Sequence, residues 1–335
     1  MTDNLFLASL TRISPFADRL PGIEPRPRST WKTGDYVVIE LAGSVRSQNV
    51  ELANGRMAEA RGGDRIIGAL GERAATLESV GSWQAIGDDG EVNMLTAAGL
   101  IGRITSRSAL MPPPNPARLL GHAVLDGQHV TMADLVPAPS GASFDIPVVL
   151  IIGTSMSSGK TVAGQAIIRM LKQRGHRVVG AKLTGAGRYR DVVSWADAGA
   201  DAVFDFVDGG LPSSIVNEGE YRRALGVVLD RIADCEPDVV VVEAGASPLE
   251  PYNGTVVLEE LGSVLRFTLL AASDPYAVSG VMSAFDLRPH VVTGVAASTS
   301  AGIDLIVKMT GLPAINVLDV ADHARLDGLL ADALR

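Results

Sequence analysis

Gly153-Thr-Ser-Met-Ser-Ser-Gly-Lys-Thr161 is the segment of this chain whose residue types and spacing could do chemistry. Small residues let main-chain N–H groups converge on an anion, and a helix start behind them adds a positive dipole end. Lys160 supplies a mobile positive charge for terminal phosphates, and the Thr161 hydroxyl suits Mg²⁺. A strict G-x4-G-K-[ST] spacing would need glycine at Thr154. The chain instead has Gly153 one residue earlier, giving G-x5-G-K-T. The candidate phosphate-contacting residues are Gly153, Thr154, Ser155, Met156, Ser157, Ser158, Gly159, Lys160, Thr161 and Val162.

A loop of this kind must follow a buried strand and open a helix. Val148–Gly153 is an apolar run, and Ala163, Ala166, Ile167, Met170 and Leu171 follow it at helical spacing, with Gly175 placed to end the helix. A metal partner is expected at the tip of another buried strand. The segment Pro237-Asp-Val-Val-Val-Val-Glu243 puts a carboxylate there after four valines, and Gly245 and Ala246 leave room for a phosphate. An acid that caps the following helix is the competing reading of Glu243.

Further apolar runs are expected as strands at Arg177–Lys182, Asp238–Glu243, Phe267–Ser273, His290–Ala297 and Ala314–Leu318. Alternation of such strands with helices predicts an α/β fold, a parallel sheet flanked by helices. Residues 35 to 136 read differently, as many short strands. Asn54-Gly55 and Asp126-Gly127 signal type I′ hairpins, and Gly87 to Gly90 a further turn. A smaller β-rich, barrel-like domain is expected there. Pro137 to Pro147 looks like a linker, so domains are expected at 1–144 and 145–335.

Here the chain resembles dethiobiotin synthetase and its relatives among the P-loop ligases. That family's loop reads G-T-x-x-x-x-G-K-T with the same offset, its second strand ends in a lysine where this chain has Lys182, and its V-E-G-A-G-G segment corresponds to Val242 to Ser247. The likeness covers about residues 148 to 320 and implies ATP and Mg²⁺ as cofactors, with phosphoryl transfer to a small carboxylate or carbamate. It implies roles for Lys160 and Lys182 in that step, with Thr161, Glu243 and an aspartate after the second strand at the metal. Asp191 is the choice for that aspartate, and Asp197 competes. A homodimer is implied too. Ser155 and Ser157 replace acids of the family's loop, Leu183 a proline, Ala186 a serine and Ser298 an adenine-reading asparagine, so the acceptor is expected to differ. A second likeness is to two-domain proteins with such a C-terminal half, some linked to N-acylation of D-glutamate. A nucleotide-dependent switch or scaffold is the alternative function.

Arg188 and Arg190 follow Lys182 in a glycine-bearing loop, where they would clamp a substrate carboxylate or be solvated. Asp274-Pro275-Tyr276 reads as a helix start.

The 335 residues carry 29 Lys+Arg against 38 Asp+Glu, a net charge of −9. That balance argues against nucleic acid as partner, because such binding rests on cationic neutralisation of phosphates. The five histidines have no zinc-type spacing. The single Cys235 fits a reducing compartment and a buried small hydrophobe. No run approaches the roughly 20 apolar residues of a membrane span, and an acid at Asp3 argues against a secretory leader. A cytoplasmic protein is expected.

Overall fold

A computed structural model describes residues 4–245 and 247–335. Asp3 and Ala246, which entered the sequence reading, lie outside them. The chain forms two compact units. The first holds the chain up to Pro139 together with Ala186–Arg190 and Phe206–Val227, and the second holds Ser140–Gly185, Asp191–Asp205 and Val228–Arg335.

The second unit is built on six parallel strands. Across the sheet they run Ala202–Asp205, Val178–Thr184, Val239–Ala244, Val148–Gly153, Leu265–Ala271, Val291–Thr293. The central strands are buried along their whole length, which is why they read as continuous apolar runs rather than as alternation. The described residues form seven α-helices: α1 Lys160–Gln173, α2 Tyr189–Asp197, α3 Glu218–Ala233, α4 Gly254–Leu261, α5 Pro275–Phe285, α6 Ser300–Thr310 and α7 Val320–Ala333. Ile167 and Leu171 of α1 and Leu326 and Leu330 of α7 pack with Val149, Ile151 and Leu269 of the sheet in one core. Gly175, at φ +86°, ends the chain's path out of α1 as expected.

Three expectations need correction. Ala314–Leu318 is not a strand; only Ala314 bridges to Val292. The strand expected over His290–Ala297 stops at Thr293, because Gly294 turns at φ +92° into a 3₁₀ turn, Val295–Ala297. The edge strand Ala202–Asp205 was not foreseen, since four half-buried residues carry little apolar periodicity.

In the first unit, five strands pair in a closed ring: Arg65–Leu70, Tyr36–Leu41, Ala117–Leu125, Glu91–Thr96 and Leu100–Arg107, which returns to Arg65–Leu70. Closure removes the sheet edges, and alternate residues fill the interior. Val37, Ile39 and Leu41 lie in one core with Ile66, Leu70, Val92 and Ile101. Asp126 and Gly127 have φ of 52° and 72°, the type I′ signature. The other hairpin differs. Gln48–Glu51 pairs with Met57–Ala60 through a longer loop closed by Leu52 and Arg56, and at the Asn54-Gly55 pair only Gly55 has positive φ.

Candidate functional site

Gly153 ends its strand under the loop, and its missing side chain is required. A Cβ there would stand 2.6 Å from Ser158 Oγ and 2.8 Å from Lys160 Cδ. Gly159, at φ +102°, is the N-cap residue before α1. Gly294 meets the loop from the far strand: a Cβ on it would lie 2.2 Å from the Ser158 carbonyl oxygen. Inside the loop, Ser158 Oγ donates to the Ser155 carbonyl at 3.0 Å, and Thr154 Oγ1 lies 3.0 Å from Ser273 Oγ while accepting the Ser273 N–H. Thr154 thereby ties the loop to the end of the Leu265–Ala271 strand.

Lys160 is buried and its Nζ donates to the Ser155 carbonyl at 2.7 Å. Burial lowers its pKa from the ordinary lysine value, opposed by the carboxylate of Glu243. Thr161 Oγ1 donates to Glu243 Oε2 at 3.1 Å, so the expected acid at the valine strand's tip does reach the helix start. Lys182 stands beside Glu243 in the parallel register. Its Nζ donates to Asp191 Oδ2. Burial by itself would lower Lys182, yet Asp191, Glu243 and Asp205 together hold it above its usual value. Asp191 therefore reaches this cluster, as a partner of Lys182. Gly245 lies close enough that a Cβ would be 3.1 Å from Glu243 Oε1.

Arg188 and Arg190 are exposed and belong to the first unit, as does Tyr189 between them. Buried Glu51 of that unit accepts the N–H groups of Tyr189 and Arg190 at 2.7 and 3.1 Å and the Ser9 hydroxyl. Asp274 caps α5 by accepting the Tyr276 N–H, with Pro275 in the first turn, as a helix start should. Ser298 is exposed and bonded to the Val295 carbonyl. Cys235 is half-buried rather than buried.

Two participants escaped the sequence reading. Glu250 accepts the Ser247 N–H at 2.7 Å and adds its charge to the field at Lys160; no motif marks it. Trp195 of α2 donates Nε1–H to the Thr161 carbonyl at 2.8 Å. It occupies space left by two glycines, since a Cβ at Gly164 or Gly180 would lie 2.3 or 2.7 Å from its ring.

Among the described residues no three or more His, Cys, Asp or Glu side chains are arranged to hold a metal ion. The Thr161 and Glu243 oxygens are hard donors, the kind of partial set that suits Mg²⁺ shared with phosphates and water. Among the described residues, no helix is long and apolar enough to cross a membrane.

No known family profile matches the chain. It is 28% identical over 193 residues to the ATP-dependent dethiobiotin synthetase BioD of Xylella fastidiosa, covering 55% of this chain and 72% of that protein. Among solved structures, a DUF1611 family protein from Anabaena variabilis aligns at 17% identity and TM-score 0.38, over 59% of this chain and 60% of that one. Chloroplast FtsY from Physcomitrella patens aligns at 17% and 0.38, over 56% and 65%. The hydrogenase maturation factor HypB from Archaeoglobus fulgidus aligns at 13% and 0.37, over 57% and 91%. The chain thus spans about three-fifths of the length of the first of these structures. Strand, glycine-rich loop, Gly-Lys-Thr helix start and the acid-tipped neighbouring strand give the second unit a P-loop NTPase-type α/β fold.

Proposed function

We propose that this protein is an ATP- and Mg²⁺-dependent enzyme that transfers a phosphoryl group to a small carboxylate or carbamate. One observation supports this reading above the others: two buried lysines, Lys160 and Lys182, stand with Glu243 and Asp191 at the carboxyl edge of one sheet, where α/β folds bind ligands. Phosphoryl transfer asks for positioning and charge neutralisation more than covalent chemistry.

In this mechanism the amides of residues 154–159 and the Lys160 ammonium hold the terminal phosphates. Lys160 leaves the Ser155 carbonyl to do so. Thr161 and Glu243 hold Mg²⁺, which neutralises phosphate charge when bound. Lys182, kept protonated by Asp191, stabilises charge on the transferring group. The acceptor oxygen forms a bond to the γ-phosphorus as the bond to ADP breaks. The dethiobiotin synthetase likeness, whose name specifies ATP, favours ATP over other nucleotides. Ser155 and Ser157 in place of the family's loop acids, together with the added β-rich unit, favour an acceptor other than that family's.

The test is nucleotide hydrolysis measured alone and with a panel of dicarboxylates, amino acids and their carbamates. ADP release stimulated by one small acceptor, with a phosphorylated or condensed product, supports the enzyme. Stimulation only by another protein replaces it with a nucleotide switch, and failure of the full-length protein to bind nucleotide removes both.

A further inference from the structure

The β-rich unit has a cavity of its own, about 840 Å³ in volume, within the range of small-molecule sites. It opens at one rim of the strand ring. Lys32 and Thr33 precede the Tyr36–Leu41 strand, Glu72 follows Arg65–Leu70, and His129 follows Ala117–Leu125. The register places these ends together, because Tyr36 pairs with Ala69 and Val37 with His122. Arg223, from the Phe206–Val227 stretch that belongs to this unit, completes the wall.

Two of the chain's three tryptophans, Trp31 and Trp83, line the cavity. Their N–H groups are already used: Trp31 Nε1 donates to the Arg26 carbonyl and Trp83 Nε1 to Thr33 Oγ1, both at 2.9 Å. What they offer a ligand is carbon surface, suited to an apolar or planar body.

The wall carries Arg26, Lys32 and Arg223 against Glu72, Asp134 and Glu220, and these charges differ in how far they are buried and paired. Arg26 is spoken for by Asp35 Oδ2 at 3.3 Å. The guanidinium of half-buried Arg223 has no hydrogen bond or ion pair among the described residues, whereas the Lys32 charge acts on Asp35. Of the acids, Glu72 is half-buried, and burial raises its pKa from the ordinary value against a hydrogen bond from Ser82, while Asp134 and Glu220 are exposed to water. A half-buried guanidinium fork without an ion pair among the described residues, in a concave wall with two indoles, matches a carboxylate bidentately. We propose that this cavity binds a small organic carboxylate with a planar or apolar body. The proposal does not rest on the phosphoryl-transfer reading.

The full-length protein is titrated with phenylacetate, and with phenylacetamide as its neutral counterpart, by saturation-transfer NMR and tryptophan fluorescence. Phenylacetate is expected to bind at least about tenfold more tightly than the amide and to quench Trp31 and Trp83, a signal lost in the W31F/W83F variant, which leaves Trp195. Arg223→Ala is expected to abolish the preference for the acid, Arg223→Lys to restore part of it, and Lys160→Ala to leave it unchanged. Equal binding of acid and amide, no binding of either, or acid preference intact in Arg223→Ala overturns the proposal. Loss of binding in Lys160→Ala overturns it too, because it places the ligand at the nucleotide loop. The acid-against-amide comparison on the unaltered protein decides the matter should an Arg223 variant fail to fold.

Discussion

Thr161 donates its hydroxyl hydrogen to Glu243 Oε2 across 3.1 Å, joining the first turn of α1 to the tip of the central valine strand. The bond pre-positions two oxygen donors that are 82 residues apart in the chain. Thr161→Val and Glu243→Gln should each leave the fold intact and weaken the Mg²⁺ dependence of nucleotide binding by about 10- to 100-fold. A magnesium titration of fluorescent-nucleotide binding checks this, and an unchanged midpoint in both variants removes the assignment.

Lys160 and Gly153 form the second test. Lys160→Ala removes the buried ammonium and should weaken nucleotide binding at least about tenfold. Gly153→Ala puts a methyl group where Ser158 Oγ and Lys160 Cδ now lie, so it should weaken binding while retaining the lysine. Calorimetric titration with ATP separates these from the parent, and parent-like affinity in Gly153→Ala contradicts the packing argument.

Lys182 titrates above its ordinary value because Asp191, Glu243 and Asp205 outweigh burial. Asp191→Asn deletes one of these counter-charges, so the Lys182 pKa should fall. Any activity that needs the protonated amine then loses its alkaline limb at lower pH than in the parent. NMR titration of the Lys182 side chain measures the shift directly; a pKa that rises or stays put refutes the pairing.

Trp195 fills the space beside Gly164 and Gly180. Gly164→Ala should destabilise the protein by about 1–3 kcal/mol through overpacking. The same substitution in a Trp195→Ala background should cost much less, because the clashing ring is gone. Urea denaturation of the four proteins in the cycle shows the coupling, and additive costs would mean that the glycine serves another purpose.

His122 is buried and neutral, its pKa lowered from 6.5 to about 4 chiefly by burial, with Arg26 and His129 adding to it. Asp35 Oδ2 stands 3.6 Å from its Nε2, but at neutral pH the ring carries no charge to pair with it. The unfolded chain takes up a proton as pH falls through 6.5 and the folded protein does not until about 4. Stability from this group is therefore full above 6.5 and falls across that window at up to about 1.4 kcal/mol per pH unit. Asp35, raised by burial, has the opposite sign, its contribution being lost as pH rises from its ordinary value, 3.8. Thermal melts from pH 7 to 4 should show a shallower decline in His122→Gln than in the parent. Parallel curves would argue against a buried neutral ring.

The amino-acid sequence determined the parts that depend on neighbouring residues. The Gly153–Thr161 loop, the buried valine strand ending in Glu243 and the α1 periodicity are local patterns, since burial on both faces demands continuous apolar runs and a phosphate loop demands small residues between strand and helix. The Asp126-Gly127 turn was legible for the same reason, as two residues set its backbone. Tertiary structure decided what depends on distant segments meeting. Gly294 truncates its strand because the Ser158 carbonyl crosses there, Glu250 joins the field at Lys160 without a motif, and Asp191 engages Lys182 through the placement of α2. The cavity beside Trp31 and Trp83 forms only when the strand ring closes and residues 206–227 join it. Long-range packing leaves no period in the chain, so its products appear only once the fold is formed.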